Sequence, residues 1–210
     1  MTLPATDDFN RADENPLSDG GKWSTVSGFN NFKLLSKKIY TASGGNSEVG
    51  MYWNSDSFNN DQYSQARLGA NSASNQWSQK ALVRSSASAK TTYMFGNDDG
   101  SNYLFQKYVA GTNTQLGSSV SQSAVLNDLI KVTVTGTTIE GFINGVSQGT
   151  RTDSSIASGA AGLAVYYGAS AWGPTWEGGN VGGGVFDPST GFPWPDTENP
   201  VRERMDIVGY

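Results

Sequence analysis

Six glutamates, Glu14, Glu48, Glu140, Glu177, Glu198 and Glu203, are the side chains best placed for acid–base chemistry in a chain with no histidine and no cysteine. Retaining glycoside hydrolysis needs two carboxyls about 5–5.5 Å apart, and alternate positions of one strand would put such a pair on a shared face. No two of the six stand two or four residues apart, and Glu198 and Glu203 are five apart with Pro200 between them. The expectation is therefore no enzyme, with carboxylates converging from different strands kept as the alternative. Without His there is no Ser-His-Asp triad, no imidazole base and no imidazole metal ligand. Without Cys there is no disulfide framework and no thiolate metal site.

Binding chemistry is easier to place. In Tyr63–Leu68, alternation puts Tyr63, Gln65 and Arg67 on one face and Ser64, Ala66 and Leu68 on the other. In Ser78–Ser85, Ala81 and Val83 oppose Lys80, Leu82 and Arg84. Turning the small apolar sets inward predicts one outer surface carrying Tyr63, Gln65, Arg67, Lys80 and Arg84, joined by Gln106 if Tyr103 and Phe105 point inward. Arginine and amide groups bond sugar hydroxyls and a tyrosine ring stacks on a pyranose face, so these six are the candidate carbohydrate-binding residues. A merely solvated face of an antiparallel sheet gives the same pattern. Trp23 and Trp53 lie in strong strand patterns and are expected in the core. Trp77 is a candidate rim residue; Trp172, Trp176 and Trp194 flank a glycine-rich stretch, as a sugar platform or as packing for the C-terminal residues. Asn97-Asp98-Asp99-Gly100 looks like a calcium loop but lacks the distal glutamate at the required spacing and reads as a hairpin tip.

The elements that must position these residues are strands. Apolar residues recur at intervals of two rather than 3.6. Strands are predicted at 22–27, 32–35, 38–42, 48–53, 63–68, 78–85, 91–95, 102–109, 129–135, 138–144, 146–150 and 162–167, separated by Gly, Asn and Asp turns. No amphipathic helix stands out. Asn144-Gly145 suits a tight type I′ turn, which makes 129–150 a three-strand meander. The net charge of −5 and the lack of any basic run exclude nucleic acid as an expected partner. No apolar run is long enough to span a bilayer as a helix. The N-terminal MTLPATDDFN has neither the basic start nor the hydrophobic segment of a signal peptide.

The order DDFNRADENPL…W (Asp7 to Trp23), ALVRSS, NYLFQKY, IKVTVTGTTIEGFINGVSQGT and DSSIASGAAGLAVY resembles the concanavalin-like (laminin-G-like) jelly-roll sandwiches. These occur in bacteriophage virion proteins and in polysaccharide-binding proteins. The resemblance runs from about Asp7 to Tyr167 and implies an all-β, two-sheet antiparallel jelly-roll sandwich. It implies no cofactor, apart from a structural calcium near the joined termini, which would point to Asp7 or Asp8. The laminarinase-like branch carries its catalytic Glu and Asp on alternate positions of one strand, a pattern this chain lacks. Fold does not give function, and the family holds hydrolases, sugar-binding modules and virion proteins alike.

After Trp176 the composition changes. EGGNVGGG is expected to hold no strand in the sandwich interior, and the remainder carries four of the seven prolines beside Phe186, Phe192, Trp194, Met205, Ile207 and Tyr210. Residues 1–177 are thus expected to form the sandwich and 178–210 a joint and extended arm, those six side chains being the partner-binding anchors. The function expected from sequence is a structural virion protein of a bacteriophage, anchored by this arm to other virion proteins or to copies of itself. Cell-surface glycans are further expected partners. A stand-alone carbohydrate-binding module is the first alternative, and a glycoside hydrolase the second. Deleting residues 185–210 should leave the melting temperature within a few degrees while abolishing oligomerisation or particle binding; a much lower melting temperature with assembly retained would make the arm part of the fold.

Overall fold

The computed structural model describes residues 3–42, 48–69, 78–98, 100–166 and 175–182, and among them the regular elements are all strands. In chain order these are β1 (Ala5–Asp7), β2 (Trp23–Thr25), β3 (Phe32–Leu35), β4 (Lys38–Thr41), β5 (Glu48–Trp53), β6 (Gln62–Arg67), β7 (Gln79–Ser85) and β8 (Thr92–Asn97). They continue with β9 (Asn102–Val109), β10 (Thr112–Gln115), β11 (Val120–Ser121), β12 (Leu129–Thr135), β13 (Thr138–Ile143), β14 (Val146–Thr152), β15 (Ala160–Tyr166) and β16 (Trp176–Asn180). One sheet runs β1-β16-β6-β12-β13-β14 and the other β10-β9-β8-β7-β15-β5-β2, with β11 also on β9 and β3-β4 as a separate hairpin. Every strand pairing is antiparallel. The chain is an all-β antiparallel jelly-roll sandwich.

Alternation builds the core. Ala81 and Val83 of β7, Tyr93 and Phe95 of β8, and Tyr103 and Phe105 of β9 face Ala66 of β6 and Ile130, Val132 and Val134 of β12, all buried. The predicted meander is the far edge of the six-stranded sheet, and Asn144 and Gly145 take the positive φ values (50° and 79°) that its turn requires. At the other edge Trp176 packs between Trp23 and Trp53, with ring centroids 4.7 and 5.4 Å away. Its indole nitrogen donates to Ser64 Oγ (3.0 Å), and Trp23 donates to Asp7 Oδ2 (2.7 Å). Trp23 and Trp53 are core, as expected. Trp176 is core too, which corrects its reading as a sugar platform or as packing for the C-terminal residues. Trp77, Trp172 and Trp194 lie outside the described residues, as do the anchors Phe186, Phe192, Trp194, Met205, Ile207 and Tyr210.

The reading of EGGN as strandless is also corrected, because β16 sits inside the sheet between β1 and β6. Glycine there makes room for rings. A Cβ on Gly178 would stand 2.6 Å from the Trp176 indole, and one on Gly179 would stand 2.8 Å from the Tyr63 ring. The motif DSSIASGAAGL is structural in the same sense. Asp153 accepts from Tyr93 Oη (2.6 Å) and binds the Lys107 ammonium. Burial alone would raise its carboxyl, but bonds from Lys107, Ser155 and Tyr93 outweigh that and hold it well below the usual carboxylate range.

Arg84 breaks the alternation of its strand. The register between β15 and β7 shifts between Ala160 and Gly162, and Arg84 has φ 51°. Such a bulge re-aims the side chain. Its guanidinium donates to the carbonyls of Asn60 (2.8 Å), Ile156 (2.7 Å) and Gly136 (2.8 Å), tying one end of both sheets together. Only 3% of the residue is exposed, so it cannot belong to an outer binding surface. Arg84→Ala should cost about 3 kcal/mol by orphaning three carbonyls, read as a drop in melting temperature of roughly 6–12 °C. A drop below 2 °C would show that the clamp is dispensable.

Candidate functional site

The six side chains predicted to share one surface are divided by the fold. Tyr63, Gln65 and Arg67 lie on β6 in the six-stranded sheet, while Lys80 and Gln106 lie on β7 and β9 in the eight-stranded sheet. With Arg84 turned inward, the single surface is replaced by two outward faces on opposite sides of the sandwich. The condition set for Gln106 is met: Tyr103 and Phe105 are fully buried and Gln106 points outward.

The face carrying Lys80 and Gln106 is concave. Its cross-strand rows are Gly50–Ala164–Lys80–Gly96–Leu104 and Tyr52–Gly162–Leu82–Met94–Gln106. Small residues recur in both. A Cβ on Gly96 would stand 2.1 Å from the Gln79 carbonyl oxygen, and one on Gly162 would stand 2.1 Å from that of Met51. Neighbouring backbones therefore press together on this side, as a sheet curled toward it requires. One contact measures the curl: the Tyr108 hydroxyl of β9 bonds the Glu48 carboxylate of β5. Three strands intervene, and in a flat sheet those strands would be roughly 19 Å apart.

Within the trough lies a cavity of about 260 Å³, bordered by Lys80, Met94, Asp98, Gln106, Tyr108 and Asn113 together with Phe29, Glu48 and Ala164. Met94 and Ala164 give an apolar floor. Lys80 Nζ bonds Asp98 Oδ1 (2.8 Å) and Ser78 Oγ (3.1 Å), and Asn113 Nδ2 donates to Tyr108 Oη (3.2 Å). Gln106 makes no side-chain hydrogen bond to a described residue, so its amide carries an open acceptor oxygen and an open NH2 donor. On one side the Lys90 ammonium pairs with Glu48 and lies 4.7 Å from the Phe29 ring centroid and 4.4 Å from that of Tyr108. The trough thus sets donors, acceptors and two aromatic rings around an apolar floor, which is the chemistry of a polyhydroxylated ligand with apolar ring faces.

The opposite face carries a hydrogen-bonded network beside a cavity of about 380 Å³ bordered by Tyr63, Lys131, Thr133, Glu140 and Phe142. Tyr63 Oη donates to Glu177 Oε1 (2.6 Å), Gln65 Nε2 donates to the same oxygen (3.1 Å), and Lys131 Nζ lies 4.4 Å from the Tyr63 ring centroid. Burial raises the Glu177 carboxyl, against the opposing pull of Tyr63, Lys131 and Gln65, and burial lowers the Lys131 ammonium. Arg67 donates to the Asn127 carbonyl (2.9 Å). Sequence reasoning missed Glu177, Glu48, Asp98, Phe29 and Tyr108 as site residues. Only the aromatic and acidic residue types could have suggested them, since the contacts join strands far apart in sequence.

The calcium expectation does not fit its residues. Asp7 Oδ1 accepts from Arg11 (2.7 Å) and from the Phe9 amide (2.7 Å), Oδ2 accepts from Trp23, and Asp8 caps the Asn10 amide (2.9 Å). A carboxylate already neutralised by a guanidinium is a poor ligand for a hard cation. Asp98 is likewise paired, with Lys80, and Asp99 lies outside the described residues. Among the described residues no group of three or more acidic side chains is placed to hold a metal ion.

No family model matches the chain, and no curated protein matches it. Solved structures do. A carbohydrate-binding module of Bacillus subtilis superposes with a TM-score of 0.57 at 18% identity, covering 79% of this chain and 96% of that one. A Bacillus licheniformis beta-glucanase gives 0.53 at 10% identity, covering 85% and 98%. A structure described as a native glycosidic hydrolase gives 0.58 at 12% identity, covering 87% and 98%. At these identities the likeness shows the antiparallel jelly-roll sandwich fold and nothing finer.

The raised Glu177 carboxyl sets a pH dependence. A carboxyl raised in the folded state contributes stability below its unfolded value, and that contribution is lost as pH rises through the folded value. Thermal melts of wild type and Glu177→Gln should therefore move in favour of the Gln variant between pH 4 and pH 7. A shift in favour of Glu would mean that Tyr63 and Lys131 outweigh burial.

Proposed function

We propose that this chain is a carbohydrate-binding module whose ligand lies in the concave trough of the eight-stranded sheet. One observation carries the reading: the cavity over Met94 and Ala164, ringed by Lys80, Asp98, Gln106 and Asn113 and flanked by Phe29 and Tyr108. Gln106 and Asn113 address hydroxyls through amides, Asp98 and Lys80 supply a fixed acceptor and donor, and the rings offer an apolar wall. The presence of a carbohydrate-binding module and of glycan-active enzymes among proteins of the same fold supports it. The expectation of a bacteriophage surface protein rests on the family resemblance, the polar uncharged composition without Cys and the arm of residues 178–210, and no finding favours it over the binding module. Catalysis is not part of the reading. The two carboxylates of the trough, Glu48 and Asp98, are each already paired with a lysine, and here they serve as hydrogen-bond acceptors.

A glycan array followed by titration calorimetry tests this. Gln106→Ala should weaken binding about tenfold, the loss of one buried hydrogen bond, with an unchanged melting temperature. Arg67→Ala, on the opposite sheet, should bind as wild type. Loss of binding in Arg67→Ala with none in Gln106→Ala would move the site to the other face, and no binding to any glycan would overturn the function.

A further inference from the structure

The concave face is not an open groove, and the groups that fill it bear on the kind of ligand it takes. Val26, Tyr52, Leu82, Met94 and Tyr108 form a second apolar cluster, separate from the sandwich core, with Phe29 packed against it. Its members Met94, Tyr108 and Ala164 line the cavity, and Val26, Tyr52 and Leu82 continue the apolar surface beside it. The backbone makes a seat for Phe29: a Cβ on Gly50 would stand 3.0 Å from its ring, tighter than ordinary contact, so glycine there lets the ring lie close on the sheet. The Phe29 and Tyr108 rings meet edge to face at 5.3 Å. Lys90 sits against both rings and pairs with Glu48, which also holds the Tyr108 hydroxyl. Side chains from β5, β9, the β2–β3 connection and the β7–β8 connection are thereby locked into one wall across the trough.

A polysaccharide bound along its length needs a clear path out of the pocket on both sides. Here Phe29 packs over the sheet beside the Met94–Ala164 floor, and the Phe29–Tyr108–Glu48–Lys90 wall would block a chain continuing on that side. The cavity of about 260 Å³ is also small, below the ~300–1,000 Å³ usual for drug-sized ligands. A terminal unit differs chemically from an internal one: it carries a free hydroxyl where the internal unit carries a glycosidic oxygen. The Glu48 carboxylate and the Tyr108 hydroxyl, at the blind side of the pocket, are the groups that such a hydroxyl would meet.

Resting on the carbohydrate-binding reading above, we propose that the pocket selects the end unit of a glycan chain and is closed to internal stretches by the Phe29–Tyr108–Glu48–Lys90 wall. The test is stoichiometry. A glycan taken from the array is prepared as a homologous series of increasing length, and each member is titrated into the whole protein. One protein molecule per chain at every length is expected, with shorter chains binding more protein per mass of sugar. Protein bound in proportion to chain length would overturn end selection while leaving the carbohydrate-binding reading intact; failure of every member to bind would overturn both. Phe29→Ala, checked for an unchanged fold by its melting profile, opens the wall and should raise the number bound per long chain above one. A variant that still binds one per chain would show that the wall is not the stop. If that variant fails to fold, the wild-type stoichiometry decides alone.

Discussion

The curl of the eight-stranded sheet is the constraint on which the site depends. Antiparallel strands carrying ordinary side chains on both faces resist strong bending, because Cβ atoms crowd on the inner side of the bend. Here that side carries Gly50, Gly96 and Gly162 together with Ala164, and the backbone of β8 approaches that of β7 too closely for any side chain at Gly96. Glycine weakens an isolated strand by its entropy cost, yet at these positions it lets β5 and β9 be brought together across three intervening strands. Without that approach Tyr108 could not reach Glu48 and no pocket would exist. The residues that look least like part of a site, glycines in the middle of strands, are thus the ones that shape the pocket.

A curled sheet must be held by the layer behind it. The inner aromatic residues do this in two groups. Phe95, Tyr103 and Phe105 pack together beneath the β8–β9 pair, with Phe95 and Phe105 centroids 4.6 Å apart. Trp23, Trp53 and Trp176 join the two sheets at the opposite edge. Each of these indoles donates its N–H, to Asp7, Asp56 and Ser64 respectively, so the cluster buries large apolar area without an unpaired donor. Asp7 also receives Arg11 and the Phe9 amide. The DDFNR stretch, which opens the resemblance, therefore acts through donors of the chain itself: its first carboxylate ties the entry strand to an indole of the core. Arg84 does the equivalent work at the other end through three backbone carbonyls.

Most of the fold could be read from the sequence because it depends on local alternation. The ranges predicted for β3, β5, β9 and β12 coincide with the strands observed, and the Asn144-Gly145 turn follows from φ preferences alone. The strands that escaped, β1, β10, β11 and β16, are short, polar or glycine-rich, and they are strands because of what lies beside them. Trp176 and Gly178 illustrate the point: the glycine reads as a breaker until the indole that occupies its empty side is known. The site was harder for two reasons. Assigning Tyr63 and Lys80 to one surface required knowing which strands share a sheet, and β6 and β7, though consecutive, fall in different ones. Extending the alternation to Arg84 failed at a bulge, which inserts a residue without leaving a mark on hydrophobic periodicity. Gln106 points outward as expected, because its inward neighbours Tyr103 and Phe105 are unambiguous core residues, but it shares no surface with Tyr63, Gln65 and Arg67.

The charges of the trough complete the physical picture. Lys80 pairs with Asp98, both lining the cavity, and Glu48 of its lining pairs with Lys90 beside it, so each charge there has an opposite partner. Such pairs contribute little to stability when partly exposed, since the attraction is offset by desolvation and side-chain ordering. Their value lies in position: each fixes a donor or acceptor at the rim without an entropy cost at the moment of binding. The cancellation also shapes selectivity. A charged ligand would gain no net Coulomb attraction from the pocket, and an anion would meet a chain whose net charge is −5. A neutral ligand bearing hydroxyls meets neither penalty and can bond both signs at once. On the proposed reading the trough suits uncharged polar groups, and the Phe29 and Tyr108 rings add the apolar surface that such a ligand, unlike a small ion, can cover.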